Sequence, residues 1–185
     1  MANSYPVKKK ILAISGSTRQ SSTNLNLIKA ISDLFAEKLT IKIFQGLSAI
    51  PHFNPDLDTE DPPGNVLEFR RQLNEADGIL ICTPEYAMGV PGTLKNAIDW
   101  TVSSMEFSHK PVALITASLS GQKAHLSLLE TLKVIESDIP ENSQLLISFV
   151  KTKIKDTIIT DIDTLEKVKQ LIGSLVNTIN NKTRE

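Results

Sequence analysis

One cysteine, Cys82, stands in 185 residues, so no internal disulfide can form and a reducing compartment is the natural setting. Aromatics make up only 5% of the chain, which leaves little for stacking on bases. Charge of neither sign prevails: a formal net charge of −1 exerts no pull toward nucleic acid or an anionic membrane. The cluster Lys8-Lys9-Lys10 reads as a solvated lead into the first strand. No apolar run approaches the ~18 residues of a membrane helix. The run after Lys10 is also too short for a signal-peptide core. His52, His109 and His125 are scattered without ligand spacing, which argues against a metal site. A cytoplasmic enzyme or binding protein is expected. The rest of the composition, 41% apolar and 22% charged, suits one globular domain with a proper core.

Along the chain, short apolar runs alternate with segments of helical periodicity. Strands are expected at Ile11–Ile14, Ile41–Phe44, Gly78–Thr83, Val112–Thr116 and Leu145–Val150. Between them Leu25, Ile28, Ile31, Leu34 and Phe35 mark one helical stripe, and Val66, Phe69, Arg70 and Leu73 a second. Leu94, Ala97, Ile98, Val102 and Met105 mark a third, in a helix running from Thr93 to Met105. His125, Leu128, Leu129, Leu132 and Ile135 mark a fourth, and Leu165, Val168, Ile172, Leu175 and Ile179 the last. The connection from Gln45 to Pro63 is long, so it is either functional or a surface excursion. Five strands alternating with helices specify an α/β domain spanning residues 1–185. Right-handed crossovers favour a parallel sheet of order 2-1-3-4-5. Its winding reverses between the first and third strands, so the loops after them flank one crevice.

Those two loops carry the most unusual stretches of the sequence. The first, GSTRQSSTN from Gly16 to Asn24, lies between a strand and a helix N-terminus, whose free N–H groups and dipole attract anions. Ser17, Thr18, Ser21, Ser22, Thr23 and Asn24 add hydroxyl and amide donors, and Arg19 adds a cationic fork. One such residue would suffice for a helix cap; this many indicate a phosphate or carboxylate pocket. The loop lacks the glycine–lysine signature of a nucleotide-binding P-loop and the triple glycine of a dinucleotide fold. It also lacks the cysteine a phosphatase would use, and Cys82, at the end of a buried strand, reads as a small apolar filler. The second loop, PEYAMGVPG, offers flexible backbone at Gly89 and Gly92, suited to reading the edge of a flat heterocycle. Tyr86 is a core or a rim residue; Glu85 is structural, solvent-facing, a direct ligand or catalytic. Trp100 reads as packing at a helix or subunit interface.

GSTRQSSTN resembles the G-S-x-R-x-x-S-x-N loop of the NADPH-dependent FMN reductase family. PEYAMGVPGTLKNAIDW is similar to that family's P-E-Y-x-x-x-x-P-G-x-L-K-N-A-I-D-W segment, and TASLSGQK corresponds in position to its third flavin loop. The resemblance implies a flavodoxin-like three-layer sandwich holding FMN non-covalently, reduced by NADPH or NADH and passing electrons to a small acceptor. It implies that Ser17, Arg19, Ser22 and Asn24 hold the FMN phosphate. Pro84, Glu85, Tyr86 and the backbone of Ala87, Met88 and Gly89 would border the isoalloxazine, with Ser118, Ser120 and Gly121 on its other side. It further implies a homodimer, or a dimer of dimers, built beside the cofactor. Two departures alter the surface over the flavin: Ala87 stands where the family often has Asn, and Gly121-Gln122 where it commonly has two glycines. The resemblance implies no catalytic acid or base. The competing readings are a non-enzymatic FMN electron carrier and a flavin-free protein that kept the fold.

Overall fold

Five strands, β1 (Lys9–Ser15), β2 (Leu39–Ile43), β3 (Gly78–Thr83), β4 (Val112–Ala117) and β5 (Gln144–Ile147), form one parallel sheet of order β2-β1-β3-β4-β5, the expected flavodoxin-like topology. The computed structural model describes residues 7–182. β3 and β4 are buried along their whole length, because both faces of a parallel sheet are covered by crossover helices. One face, including Leu12, Ile14, Ile79, Ile81, Val112 and Leu114, packs on α2 (Gly64–Glu75), α3 (Gly92–Asp99) and α4 (Gln122–Val134). The other, including Ile11, Ala13, Leu80, Cys82, Ala113 and Ile115, packs on α1 (Thr23–Leu34) and α5 (Ile162–Lys182). Among the described residues no helix is long and apolar enough to cross a membrane.

The register sets the site. Ser15 lies opposite Cys82, and Thr83 opposite Thr116, so β1, β3 and β4 end level and release their loops side by side. Gly16 makes this close approach possible. A β-carbon there would fall 2.2 Å from Thr83 Oγ1, and its N–H donates to Cys82 O at 2.8 Å.

Three expectations need correction. α3 stops at Asp99 instead of running to Met105, and Val102 and Met105 are exposed. The physical reason is Arg70, whose Nε and Nη2 both take the Trp100 carbonyl out of the helical ladder. Leu34, assigned to the buried stripe of α1, is exposed at the helix end. β5 ends at Ile147, and the chain turns through a short 3-10 segment (Val150–Thr152) into a hairpin of β6 (Ile154–Lys155) and β7 (Ile158–Ile159) against α1. Of the two places expected for Trp100, a helix or a subunit interface, it takes the first: it is fully buried within the chain. Its Nε1 and the Asn96 Nδ2 donate to the Pro51 carbonyl at 2.8 and 2.9 Å, and its ring meets Phe53 edge-on at 5.1 Å. The long connection after β2 is thus clamped onto α3. A second clamp is Arg70, paired with Asp58 at 2.7 Å; Ser103 and Arg70 hold the Asp58 carboxyl below the usual carboxylate range.

Candidate functional site

At the carboxyl ends of the strands, the loops after β1, β3, β4 and β5 enclose a cavity of about 610 Å³. That volume is within the ~300–1,000 Å³ of small-molecule sites. The β1 loop contributes Ser17, Arg19, Ser21, Ser22, Thr23 and Asn24 to its lining. Ser22 is the N-cap of α1, but its side chain bonds none of the first-turn amides. The amides that no intrahelical carbonyl can reach are therefore left without that cap, on residues Thr23 and Asn24 that line the cavity. The Arg19 guanidinium has no partner among the described residues, only its backbone N–H bonding Ser17 Oγ at 3.4 Å. A free fork, several hydroxyls and an uncapped helix start make a donor set for a multiply charged oxyanion. FMN ends in such a group, a terminal phosphate, and the residues fit it.

Asn24 lines the same cavity but turns its amide inward. Nδ2 donates to Ala117 O at 3.1 Å, and Oδ1 accepts from the Cys82 thiol at 3.2 Å. Burial pushes the Cys82 thiol up, so it stays protonated and serves as that donor. Asn24 is thereby the tie between α1 and the sheet.

The β3 loop brings Pro84, Glu85 and Tyr86 to the cavity. Tyr86 settles as a rim residue: 49% exposed, with its hydroxyl 3.2 Å from Ser17 Oγ. Glu85 has a structural bond set. Its Oε1 accepts from the Gly121 N–H at 3.3 Å and its Oε2 from the Ala124 N–H at 2.9 Å. It caps α4 from a distance, since Gly121, the local N-cap, has no side chain to do so. The Glu85 N–H also donates to Ser118 Oγ at 3.3 Å, so the β3 and β4 loops are stitched together.

Ala87, Met88 and Gly89 do not line the cavity. They form a tight two-residue turn in which Tyr86 and Gly89 exchange both backbone bonds, at 3.0 and 2.9 Å. The left-handed positions are Ala87 (φ 47°) and Met88 (φ 61°), not the glycines expected to supply flexibility. Ser118 lines the cavity; Ser120 and Gly121 lie behind it, with Ser120 O accepting from Ser148 Oγ at 3.1 Å.

Sequence reasoning missed the wall contributed by Phe149, Val150, Lys151 and Thr152. The available signal was topological: β5 neighbours β4, so its following loop must open on the same crevice. Among the described residues no group of three or more His, Cys, Asp or Glu side chains converges as a metal site.

A quinone reductase of Pseudomonas putida is 36% identical over 113 residues, 58% of this chain and 59% of that protein, so the match spans under two thirds of the relative's length. An NAD(P)H-dependent FMN reductase of Pseudomonas aeruginosa is 36% identical over 132 residues, 69% of this chain and 71% of that one. Among solved structures, a flavoenzyme NAD(P)H:(acceptor) oxidoreductase from Paracoccus denitrificans superposes with a TM-score of 0.76 at 26% identity, covering 94% of this chain and 98% of that one. The family model described as NADPH-dependent FMN reductase matches residues 9–152, which span all of the cavity-lining loops, and this chain belongs to that family.

Proposed function

We infer that this protein is an FMN-dependent NAD(P)H oxidoreductase delivering electrons to a flavin, quinone or similar small acceptor. The observation that carries this reading is the cavity itself. One end presents a guanidinium without a partner among the described residues and an uncapped helix N-terminus, and the other opens between apolar side chains of three loops. Relatives with quinone reductase and FMN reductase activity in their names support it. Ser17, Arg19, Ser22 and Thr23 would hold the FMN phosphate, with Asn24 acting through the placement of α1. Pro84, Glu85, Tyr86 and Ser118 would border the ring system, with the Ala87–Gly89 turn, Ser120 and Gly121 supporting that border from outside the cavity lining. Bound FMN supplies hydride acceptance from a nicotinamide and release of two electrons to an acceptor. The side chains orient, neutralise charge and keep water from the ring; none is needed as a proton donor or base.

Arg19→Ala tests the phosphate assignment. A charge-assisted hydrogen bond contributes roughly 1.5–3 kcal/mol, so FMN binding should weaken about ten- to a hundredfold. Riboflavin, which has no phosphate, should bind the variant nearly as it binds wild type. Equal losses for both flavins in fluorescence titrations would mean that Arg19 supports the fold alone.

The reading includes a homodimer, or a dimer of dimers, in a cytoplasmic setting. With Trp100 buried, its support is the exposed apolar group of Phe53, Leu57, Val102 and Met105, gathered where Ser103 Oγ bonds Asp58 at 2.6 Å. Light scattering that finds only monomer at micromolar concentration would exclude it.

A further inference from the structure

Phe149 is held in a backbone conformation that its own side chain opposes. Its φ of 53° lies in the left-handed region, where a β-carbon crowds the next carbonyl and a bulky residue is rare. The surroundings impose it. The Phe149 N–H donates to Leu119 O at 3.1 Å, and its carbonyl accepts from both the N–H and the hydroxyl of Thr152, each at 2.9 Å. Glycine or asparagine would meet the same demands with little strain. Nor does burial compensate, because Phe149 is 61% exposed. Neither the turn nor the core accounts for a phenylalanine here. Over-determined, strained positions cluster at ligand clamps.

Its neighbours on the cavity wall point the same way. Tyr86 is 49% and Leu119 74% exposed, and all three side chains line the one cavity from three different loops. The buried lining is the polar trio Ser17, Ser22 and Asn24 together with Pro84, Ala117 and Val150. Of the side chains proposed to hold the phosphate, Ser17 and Ser22 lie in that floor, Thr23 beside it, and only the polar Arg19 is exposed. A ring left open at the mouth faces the molecule that arrives second.

We propose that Phe149 selects the electron acceptor: with Tyr86 and Leu119 it forms an apolar rim that receives the flat face of an aromatic acceptor such as a quinone. The proposal rests on the oxidoreductase reading above.

Phe149→Asn keeps the left-handed turn and removes the ring; Phe149→Tyr keeps the ring. Phe149→Asn is expected to melt at the wild-type temperature or about 1–4 °C above it, since strain is relieved. The ratio of kcat/KM for a naphthoquinone to that for ferricyanide, an anion without a flat apolar face, should fall about 2- to 12-fold, the range of aromatic pair energies. Equilibrium dialysis of the naphthoquinone against oxidised, FMN-loaded protein should show the same loss. Phe149→Tyr should restore all three values. An unchanged ratio in folded Phe149→Asn overturns the proposal. A matching loss of FMN affinity would put the ring on the cofactor and overturn it too. Lower melting of both Phe149→Asn and Phe149→Gly would show that the ring packs within the fold, which overturns it equally. Wild type that oxidises NAD(P)H with neither acceptor would sink the oxidoreductase reading beneath it, a result distinct from an active wild type and an insensitive variant.

Discussion

Glu85→Ala isolates the bond set that joins the β3 loop to the β4 loop and the start of α4. The carboxylate accepts the Gly121 and Ala124 amides, which the α4 N-terminus would otherwise leave unbonded. Losing a helix cap costs about 0.5–2 kcal/mol, and losing a negative charge at the dipole's positive end about 0.3–1 kcal/mol more. The sum is about 1–3 kcal/mol, because Glu85 is half-buried and its bonds are only partly shielded from water. For a chain of this size, that lowers Tm by about 2–12 °C. Glu85→Gln keeps one acceptor oxygen and should fall between wild type and Glu85→Ala. The assay is urea denaturation of all three proteins, combined with amide hydrogen exchange at Gly121 and Ala124. Both amides should exchange faster in Glu85→Ala, while the α5 amides change only with global stability. A change within about 0.3 kcal/mol of wild type, as for an ordinary surface site, would refute the capping argument.

Two further outcomes follow from the strained turn and the buried thiol. Ala87→Gly should stabilise the protein by about 0.5–1 kcal/mol in denaturation, since the left-handed penalty of ~1–2 kcal/mol exceeds glycine's entropic cost; a loss of stability would mean that the turn is not left-handed in solution. The Cys82 pKa is raised in the folded state, so its contribution is full below the unfolded value near 8.5 and is lost as pH rises. Stability should therefore decline by up to about 1.4 kcal/mol per pH unit above pH ~8.5. Cys82→Ala should remove that component of the alkaline slope, and an unchanged slope would show that other groups produce it.

The sheet order and the position of the first loop were legible because apolar periodicity and crossover handedness are properties of short segments. What escaped reading depends on distant partners. Val102 and Met105 continue the helical stripe of α3 in sequence, yet the helix ends where Arg70, from α2, takes the Trp100 carbonyl. Ser148, Phe149 and Val150 look like strand, and only the Leu119 and Thr152 bonds show that the chain turns there. Glu85 gave no local sign of its role, since both amides it accepts lie on the far side of β4. Asn24 lines the cavity, and the ties of its amide to Ala117 and Cys82 join residues 93 and 58 positions away, which no local pattern shows.

That inward turn of Asn24 has a consequence for timing. The start of α1 is fastened to β3 and β4 by the same contacts that complete the core, so the anion end of the cavity is set when the chain folds. A phosphate held there, as proposed, would meet a finished mould, with no helix left to wind. Loosening Asn24 would turn recognition into a search among helix positions, and binding would slow before it weakened.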